Sequence, residues 1–373
     1  MRKKIGLIVN PIAGMGGKVG LKGTDGEDIL LKAISLGAKP ESPKRVIEAL
    51  KQMTALKADV DILTCPGDMG ENEAKACGFN TFLVEDTVSK KTTAQNTERA
   101  VKKMIEAGVD LLIFAGGDGT ARNIYNAAKD KLTVLGIPAG VKIHSAVFAT
   151  SPRNAGELSV LYMMKKSAGV REAEVMDIDE DAIRDQRVVS RLYGYLRVPY
   201  QRKMVQNLKA GQAKNEDDII NSIALAVVNK MKDDCLYIIG PGTTTRAVMK
   251  RLGLKNSLIG VDVVKNRSLI ANDVNEAQLL NLSKDNKLKI IVTVIGGQGY
   301  VFGRGNQQIS PAIIRKAGKE NIMIIAAASK IIALSEKTLL VDTGDDETNR
   351  MMAGYIKVKT GTKENMICRI DAG

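Results

Sequence analysis

The chain has 373 residues, which is enough for two domains with ordinary hydrophobic cores. Its four cysteines are far apart in the sequence and it has a single histidine, so neither a disulfide framework, a zinc site nor an acyl-transfer triad is indicated. The formal net charge of +13 favours anionic partners, but aromatic residues are scarce and tryptophan is absent. We therefore expect no nucleic-acid partner, because single strands are bound largely by stacking on aromatic side chains.

The N-terminal segment, residues 1–10, begins with basic residues. The apolar run that follows has only five residues, too short for the core of a signal peptide. No later stretch is apolar over the roughly 18 residues that a membrane-spanning helix needs. We expect a cytoplasmic protein without a membrane partner, and the sequence is compatible with a homo-oligomer.

The first half of the chain alternates short apolar runs with segments of helical periodicity. Several of the runs lack polar alternation, which is typical of strands covered on both faces. The βαβ pattern predicts an N-terminal domain, residues 1–150, with a Rossmann-like parallel sheet. The predicted strands are residues 5–9, 60–63, 81–84, 111–115 and 132–137.

The second half begins with a different pattern of charged and apolar residues. Residues 171–215 are charged and alternating, which predicts one or two antiparallel strands. The α/β rhythm then returns, so we predict a second α/β domain, residues 151–373, that contains antiparallel strands. Its predicted parallel-type strands are residues 235–239, 257–264, 288–295, 321–326 and 338–341.

Glycine-rich turns follow several of the predicted strands. In an open parallel sheet, ligands bind beyond the carboxyl ends of the strands, so turns at these positions are the first candidates for a site. The turns are residues 10–17, 116–120, 138–145, 240–245 and 296–305.

The most specific turn is Gly116-Gly117-Asp118-Gly119-Thr120, which lies between a predicted strand and a predicted helix. Glycines let backbone N–H groups approach phosphate oxygens, and the helix N-terminus adds further N–H donors. The Asp118 carboxylate would repel an anion, unless it holds Mg²⁺ or accepts the proton of an attacking hydroxyl, as phosphoryl transfer requires. The alternative is a tight turn in which Thr120 caps the helix and Asp118 is an ordinary turn residue.

The turn at residues 240–245 has the form of a second phosphate cradle. Its candidate contacts are Gly242, Thr243 and Thr244, which precede a predicted helix. The alternative is that one threonine caps this helix and the others lie on the surface.

Three further side chains are candidates. Lys142, just beyond a predicted strand, could contact phosphate, and the alternative is a solvated lysine. Arg304 follows an apolar strand among several glycines, which suggests close approach of a ligand, and the alternative is an exposed hairpin turn. His144 could bind substrate or tune a pH response, and the alternative is a structural role.

The string at residues 116–120 resembles the signature shared by NAD kinases and by diacylglycerol and sphingosine kinases. Asn10 and Pro11, together with Gly14, follow the first strand and resemble the phosphate-side loop of the same superfamily. Both motifs lie at the ends of predicted strands in the predicted N-terminal domain.

Two longer stretches, residues 136–145 and 295–307, resemble the prokaryotic ATP-NAD kinase family, which also contains the acetoin-catabolism AcoX proteins. The resemblance spans nearly the whole chain. It implies an N-terminal domain that uses ATP or polyphosphate with Mg²⁺, and a C-terminal domain that binds substrate. It also implies transfer of a phosphoryl group to the ribose 2′-hydroxyl of NAD, giving NADP, with Asp118 as general base.

The second half departs from the NAD kinase pattern. NAD kinases usually carry an Asn-Glu pair after the glycine-rich loop and then a loop rich in threonine and serine. Here the threonine-rich turn at residues 240–245 comes first, and Asn275-Glu276 follows it, so neither feature can be assigned by resemblance. Two alternatives therefore stand beside an NAD kinase: a kinase of another small hydroxyl metabolite, and a non-catalytic nucleotide-binding module.

Overall fold

A computed structural model describes most of the chain, and its contacts divide the chain into two compact units. The first unit comprises Met1–Met15, Gly23–Ile34 and Lys39–Leu208, and the second comprises Gly16–Lys22, Ser35–Ala38 and Lys209–Gly373. The domain boundary near residue 150 remains a prediction. The described residues are 2–21, 27–84, 92–141, 143–165, 169–178, 190–201, 204–205, 216–257, 259–295, 299–334 and 337–372.

The first unit is built on a five-stranded sheet in the order β3-β2-β1-β4-β5. All neighbouring strands in it are parallel, which confirms the predicted parallel sheet. A separate antiparallel pair, β6 and β7, confirms the predicted antiparallel strands. The strands are β1 (Lys3–Val9), β2 (Val60–Thr64), β3 (Thr81–Leu83), β4 (Leu111–Gly116), β5 (Val134–Pro138), β6 (Gly169–Ile178) and β7 (Ser190–Tyr200).

Helices α1 to α6 belong to the first half of the chain, and several begin at recognisable caps. Thr93 and Asn96 form a capping box at the start of α4. Ser151 accepts a hydrogen bond from the Asn154 N–H at the start of α6. The helices are α1 (Glu27–Ser35), α2 (Ser42–Gln52), α3 (Glu71–Ala76), α4 (Ala94–Glu106), α5 (Asp118–Ala128) and α6 (Pro152–Met163).

The second unit contains a nine-stranded mixed sheet in the order β10-β9-β8-β11-β13-β15-β16-β14-β12, which confirms an α/β fold with antiparallel strands. The strands are β8 (Cys235–Ile239), β9 (Asp262–Lys265), β10 (Ser268–Ala271), β11 (Lys287–Thr293), β12 (Tyr300–Phe302), β13 (Ile322–Ile325), β14 (Thr338–Val341), β15 (Gly354–Lys359) and β16 (Asn365–Asp371). The helices are α7 (Glu216–Lys230), α8 (Thr243–Arg251), α9 (Glu276–Leu282), α10 (Pro311–Ala317), α11 (Ala328–Ile332) and α12 (Asp346–Met352).

One predicted strand, residues 257–264, is shorter than expected, since β9 begins only at Asp262. The cause is the buried Asp262 carboxylate, which accepts hydrogen bonds from the backbone and hydroxyl of Ser257 and from the backbone of Asp273. These bonds hold Ser257 and Asp273 against the first residue of β9. Among the described helices, none has the length and apolar character needed to cross a membrane.

Glu73 is a buried carboxylate in α3, and within the described part of the chain its Oε2 has no hydrogen-bond partner. Loss of solvation raises the pKa of Glu73 above its ordinary value of 4.5, and the nearby charge of Asp68 adds to the increase. The folded state therefore binds the carboxyl proton of Glu73 more tightly than the unfolded state does. Stability falls as the pH rises from 4.5 through the raised folded pKa.

We expect Glu73→Gln to be more stable than the wild type at pH 7, because it removes a buried charge with little change in size. The difference should shrink as the pH falls to the ordinary glutamate pKa of 4.5 and below. Denaturant unfolding at both pH values measures this. Glu71→Gln is the matched control with the opposite sign, since the hydrogen bond from Lys75 lowers the pKa of Glu71. A Glu73→Gln protein less stable than the wild type at pH 7 would contradict the assignment.

Candidate functional site

Three loops of the first unit meet at one edge of its sheet, beyond the carboxyl ends of β1, β4 and β5. The Asn10 Nδ2 donates a hydrogen bond to the Thr120 Oγ1 at 3.1 Å, which joins the loops after β1 and β4. The Gly116 carbonyl accepts the Ala139 N–H at 3.1 Å, which joins the loops after β4 and β5. Because these strands are adjacent and parallel, loops distant in the sequence converge there.

Gly14 lies where the loops after β1 and β5 approach each other closely. Its φ of +82° lies in the left-handed region, and a Cβ at this position would lie 2.1 Å from the Ala139 carbonyl oxygen. No side chain therefore fits between the loops after β1 and β5. Pro11 stands in the same turn, directly after Asn10.

Asp118 is the first residue of α5 and only 6% exposed. Its Oδ2 accepts the backbone N–H of His144 at 2.7 Å, and its Oδ1 accepts the backbone N–H of Ser145 at 2.9 Å. The positive end of the helix dipole favours a carboxylate in this first turn. Asp118 therefore fixes the loop after β5 against the N-terminus of α5.

The imidazole of His144 lies against the same carboxylate. Its Nδ1 is 3.1 Å from the Asp118 Oδ2, and the side chains of His144 and Asp118 are 11% and 6% exposed. From the sequence His144 had only a secondary place, because a lone histidine before an apolar run is more often a structural residue. The adjacency of β4 and β5 is the signal that could have paired the two residues.

The remaining residues of the glycine-rich loop surround the start of α5. Gly117 occupies the N-cap position, so the alternative in which Thr120 caps the helix is wrong. Thr120 instead lies in the first turn and accepts the hydrogen bond from Asn10. Among the described residues, no heavy atom lies within 4 Å of a Cβ built on Gly119, so these residues leave open space beside it. Lys142 lies outside the described residues.

In the second unit, Gly242 is the N-cap of α8 and has a φ of +137°. A Cβ there would lie 2.3 Å from Thr293 Cγ2, at the end of β11. The next residue, Thr243, accepts a hydrogen bond from the Lys330 Nζ at 3.2 Å. Lys330 also lies 3.5 Å from the Glu216 Oε1. This turn therefore combines a helix N-terminus with a neighbouring lysine.

Two other predicted contacts of the second unit are buried. Thr244 is 0% exposed and Arg304 is 4% exposed. The guanidinium of Arg304 lies 4.3 Å from the centroid of the Tyr300 ring, and its Nη2 is 4.0 Å from the Asp342 Oδ2. The alternative of an exposed arginine on a hairpin turn is therefore wrong, because Arg304 packs inside the second unit.

The Asn275-Glu276 pair begins α9. The Asn275 Oδ1 accepts the Gln278 N–H, and the Gln278 Oε1 accepts the Asn275 N–H, both at 2.9 Å. This reciprocal pair is a capping box. The Asn275 side chain is thus engaged in capping the start of the helix.

The first unit therefore has the arrangement of a phosphate-handling α/β protein, with glycine-rich loops and a helix N-terminus at the carboxyl ends of parallel strands. The family model for the ATP-NAD kinase N-terminal domain matches residues 5–165. The model for the ATP-NAD kinase C-terminal domain matches residues 232–370. The chain belongs to the ATP-NAD kinase family.

No curated protein matches the sequence. Among solved structures, three chains from Bacillus anthracis str. Sterne, each described by name as a diacylglycerol kinase, are similar to part of it. Their sequence identities are 16%, 17% and 16%, with TM-scores of 0.27, 0.26 and 0.27. The matches cover 48% of this chain and 46%, 47% and 42% of the others, so the chain spans about half the length of the structures it matches.

Replacing Gly14 with alanine tests the close approach of the loops after β1 and β5. Gly37 has nearly the same φ, +80° against +82°, but nothing within 4 Å of a Cβ position. We expect Gly37→Ala to cost about 1 kcal/mol of unfolding free energy from backbone strain alone. Gly14→Ala should cost about 1–3 kcal/mol more, because a methyl group would overlap the Ala139 carbonyl. Equal losses in thermal or denaturant unfolding would show that the two loops are not in contact.

Proposed function

We propose that the protein is an ATP-dependent kinase of the NAD kinase type. In this proposal the γ-phosphoryl group of ATP, or the terminal group of polyphosphate, is transferred to the ribose 2′-hydroxyl of NAD to give NADP. Membership of the ATP-NAD kinase family supports the reaction class. In this proposal the Asp118 carboxylate promotes removal of the hydroxyl proton, either as the general base itself or by acting through a neighbouring side chain.

The observation that carries the proposal is a buried carboxylate inside an anion-binding loop. In a loop that only held phosphate the negative charge of Asp118, which is 6% exposed and begins α5, would oppose the bound anion. Two backbone N–H groups fix its orientation. Because enzymatic phosphoryl transfer depends mainly on positioning and charge stabilisation, a fixed carboxylate beside a phosphate site suits the reaction better than it suits binding alone.

The donor phosphates would lie at the start of α5. Gly117 is the N-cap and no side chain in the described part of the chain caps this helix, so its first N–H groups are suited to phosphate oxygens. The open space beside Gly119 supports the same position. Asn10 and Thr120, which are hydrogen-bonded to each other, are proposed to flank the phosphates.

Mg²⁺ is proposed to accompany the nucleotide. Across the described residues there is no cluster of three or more histidine, cysteine, aspartate or glutamate side chains that could hold a metal ion. The described part of the chain therefore does not fit a site built from protein ligands alone. Magnesium in kinases is often held largely by substrate phosphates, where it neutralises their charge, and we assign no residue to it.

In the second unit, Gly242 and Thr243 are the more accessible of the predicted nucleotide or substrate contacts. The hydroxyl of Thr243 is already within hydrogen-bond distance of Lys330, a cation suited to an anionic group. Thr244 and Arg304 are buried, so a role for them in binding would require a local rearrangement.

An acceptor other than NAD is also supported, by a feature of the second unit. Asn275 forms the capping box of α9 with Gln278, so its side chain is already engaged and the Asn275-Glu276 pair does not match the Asn-Glu pair that NAD kinases usually carry. A kinase of another small hydroxyl metabolite would keep the donor site and differ only in this second half.

The purified protein should form NADP when it is incubated with ATP, Mg²⁺ and NAD. Enzymatic detection of NADP, with polyphosphate tested as an alternative donor, measures this. A reaction without acceptor is the control, since it gives the background release of ADP.

If NAD is inactive, a screen of small hydroxyl metabolites should find an acceptor that raises ADP release above this background, with the product identified by mass. That result would support a kinase that acts on an acceptor other than NAD. Tight binding of ATP without turnover of any acceptor would contradict a kinase and favour a nucleotide-binding module.

A further inference from the structure

The pair formed by Asp118 and His144 contains a second group that can take a proton. The imidazole Nδ1 lies 3.1 Å from the Asp118 Oδ2, within reach of a hydrogen bond. An ionised carboxylate only accepts hydrogen bonds, so it favours the tautomer in which Nδ1 carries the hydrogen. In that tautomer Nε2 has a free lone pair and is the basic atom of the ring.

Geometry separates the roles of the two residues. Asp118 already accepts two backbone N–H bonds, one on each oxygen, and its side chain is 6% exposed. The His144 side chain is 11% exposed, and among the described residues its hydrogen-bond contact is made through Nδ1. Both carboxylate oxygens are therefore engaged by the loop after β5, and the imidazole is the member of the pair that offers a further basic atom.

The neighbouring hydroxyl does not compete for either role. Ser145 Oγ donates to the Met176 carbonyl at 2.9 Å and accepts the Met176 N–H at 2.9 Å. Its hydrogen bonds are thus made within the first unit, and it holds the loop after β5 against β6. The loop that carries His144 is fixed at both Asp118 and Ser145.

On the basis of the proposed kinase function, we propose that His144 is the catalytic base and that Asp118 is the positioning residue that acts through it. The acceptor oxygen forms a bond with the γ-phosphorus while the bond from that phosphorus to the bridging oxygen breaks, and the electron pair leaves with ADP. The hydroxyl proton moves to the Nε2 of His144. Asp118 stabilises the resulting imidazolium, which returns its proton to solvent after product release.

The tautomer of the ring tests the pairing independently of activity. Because the chain has one histidine, ¹⁵N-labelled histidine gives the signals of a single imidazole. At a pH where the ring is neutral, we expect hydrogen on Nδ1 and none on Nε2. Asp118→Asn should move the population toward the Nε2–H tautomer. A wild-type ring that carries its hydrogen on Nε2 would overturn the inference.

Turnover tests the catalytic role. His144→Ala should lower kcat by about 10²–10⁴-fold, the range for loss of a general base, with the KM for ATP within a few-fold of the wild type. Added imidazole should restore part of the lost kcat, because it supplies the missing base. His144→Gln keeps an N–H donor near Asp118 but has no basic nitrogen, so it should lose the same activity even if the alanine variant folds poorly.

Glu157→Gln is the control, because it removes only the exposed ion pair between Arg153 and Glu157 and should leave turnover unchanged. If the wild type phosphorylates no acceptor, the proposed kinase function fails, while the tautomer measurement still decides the pairing. If the wild type is active and both His144 variants retain kcat within about twofold, the inference fails and the kinase proposal stands.

Discussion

The candidate site depends on the two hydrogen bonds that the Asp118 carboxylate accepts from the backbone of His144 and Ser145. They join the glycine-rich loop after β4 to the loop after β5, and they cross between strands that the parallel sheet makes neighbours. A buried carboxylate is costly to desolvate unless it is well hydrogen-bonded, and these donors together with the helix dipole meet that cost. The same bonds bring the imidazole of His144 to the carboxylate, so structural support and chemistry rest on one side chain.

The local motif and the parallel core could be predicted from the sequence. All five strands of the first sheet were expected, because fully buried runs such as Leu111–Gly116 stand out from the helical segments around them. The strands missed in the second unit, β15 and β16 among them, follow a weaker pattern. In β16 the buried residues Cys368 and Ile370 alternate with exposed ones, but Ile367 is 62% exposed, so the polar face is obscured.

The pairing of Asp118 with His144 could not be predicted in the same way. It depends on strand order, and local sequence patterns carry no direct record of which strands become neighbours. For Arg304 the glycine-rich surroundings suggested close approach of a ligand, with an exposed hairpin turn as the alternative. The alternative is wrong because the guanidinium packs against the Tyr300 ring inside the second unit, a contact that no local pattern indicates. The geometry of the candidate site in the first unit is therefore better defined than the identity of the proposed acceptor.

The most direct test of the account compares ATP binding with turnover in Asp118→Asn, because the central claim is that this carboxylate serves transfer and not binding. Asp130→Asn, an exposed aspartate just beyond the other end of α5, is the matched control. The account predicts an ATP dissociation constant within a few-fold of the wild type and turnover lower by at least about 10²-fold in Asp118→Asn alone. Turnover that stays at the wild-type level in a folded Asp118→Asn protein would contradict it.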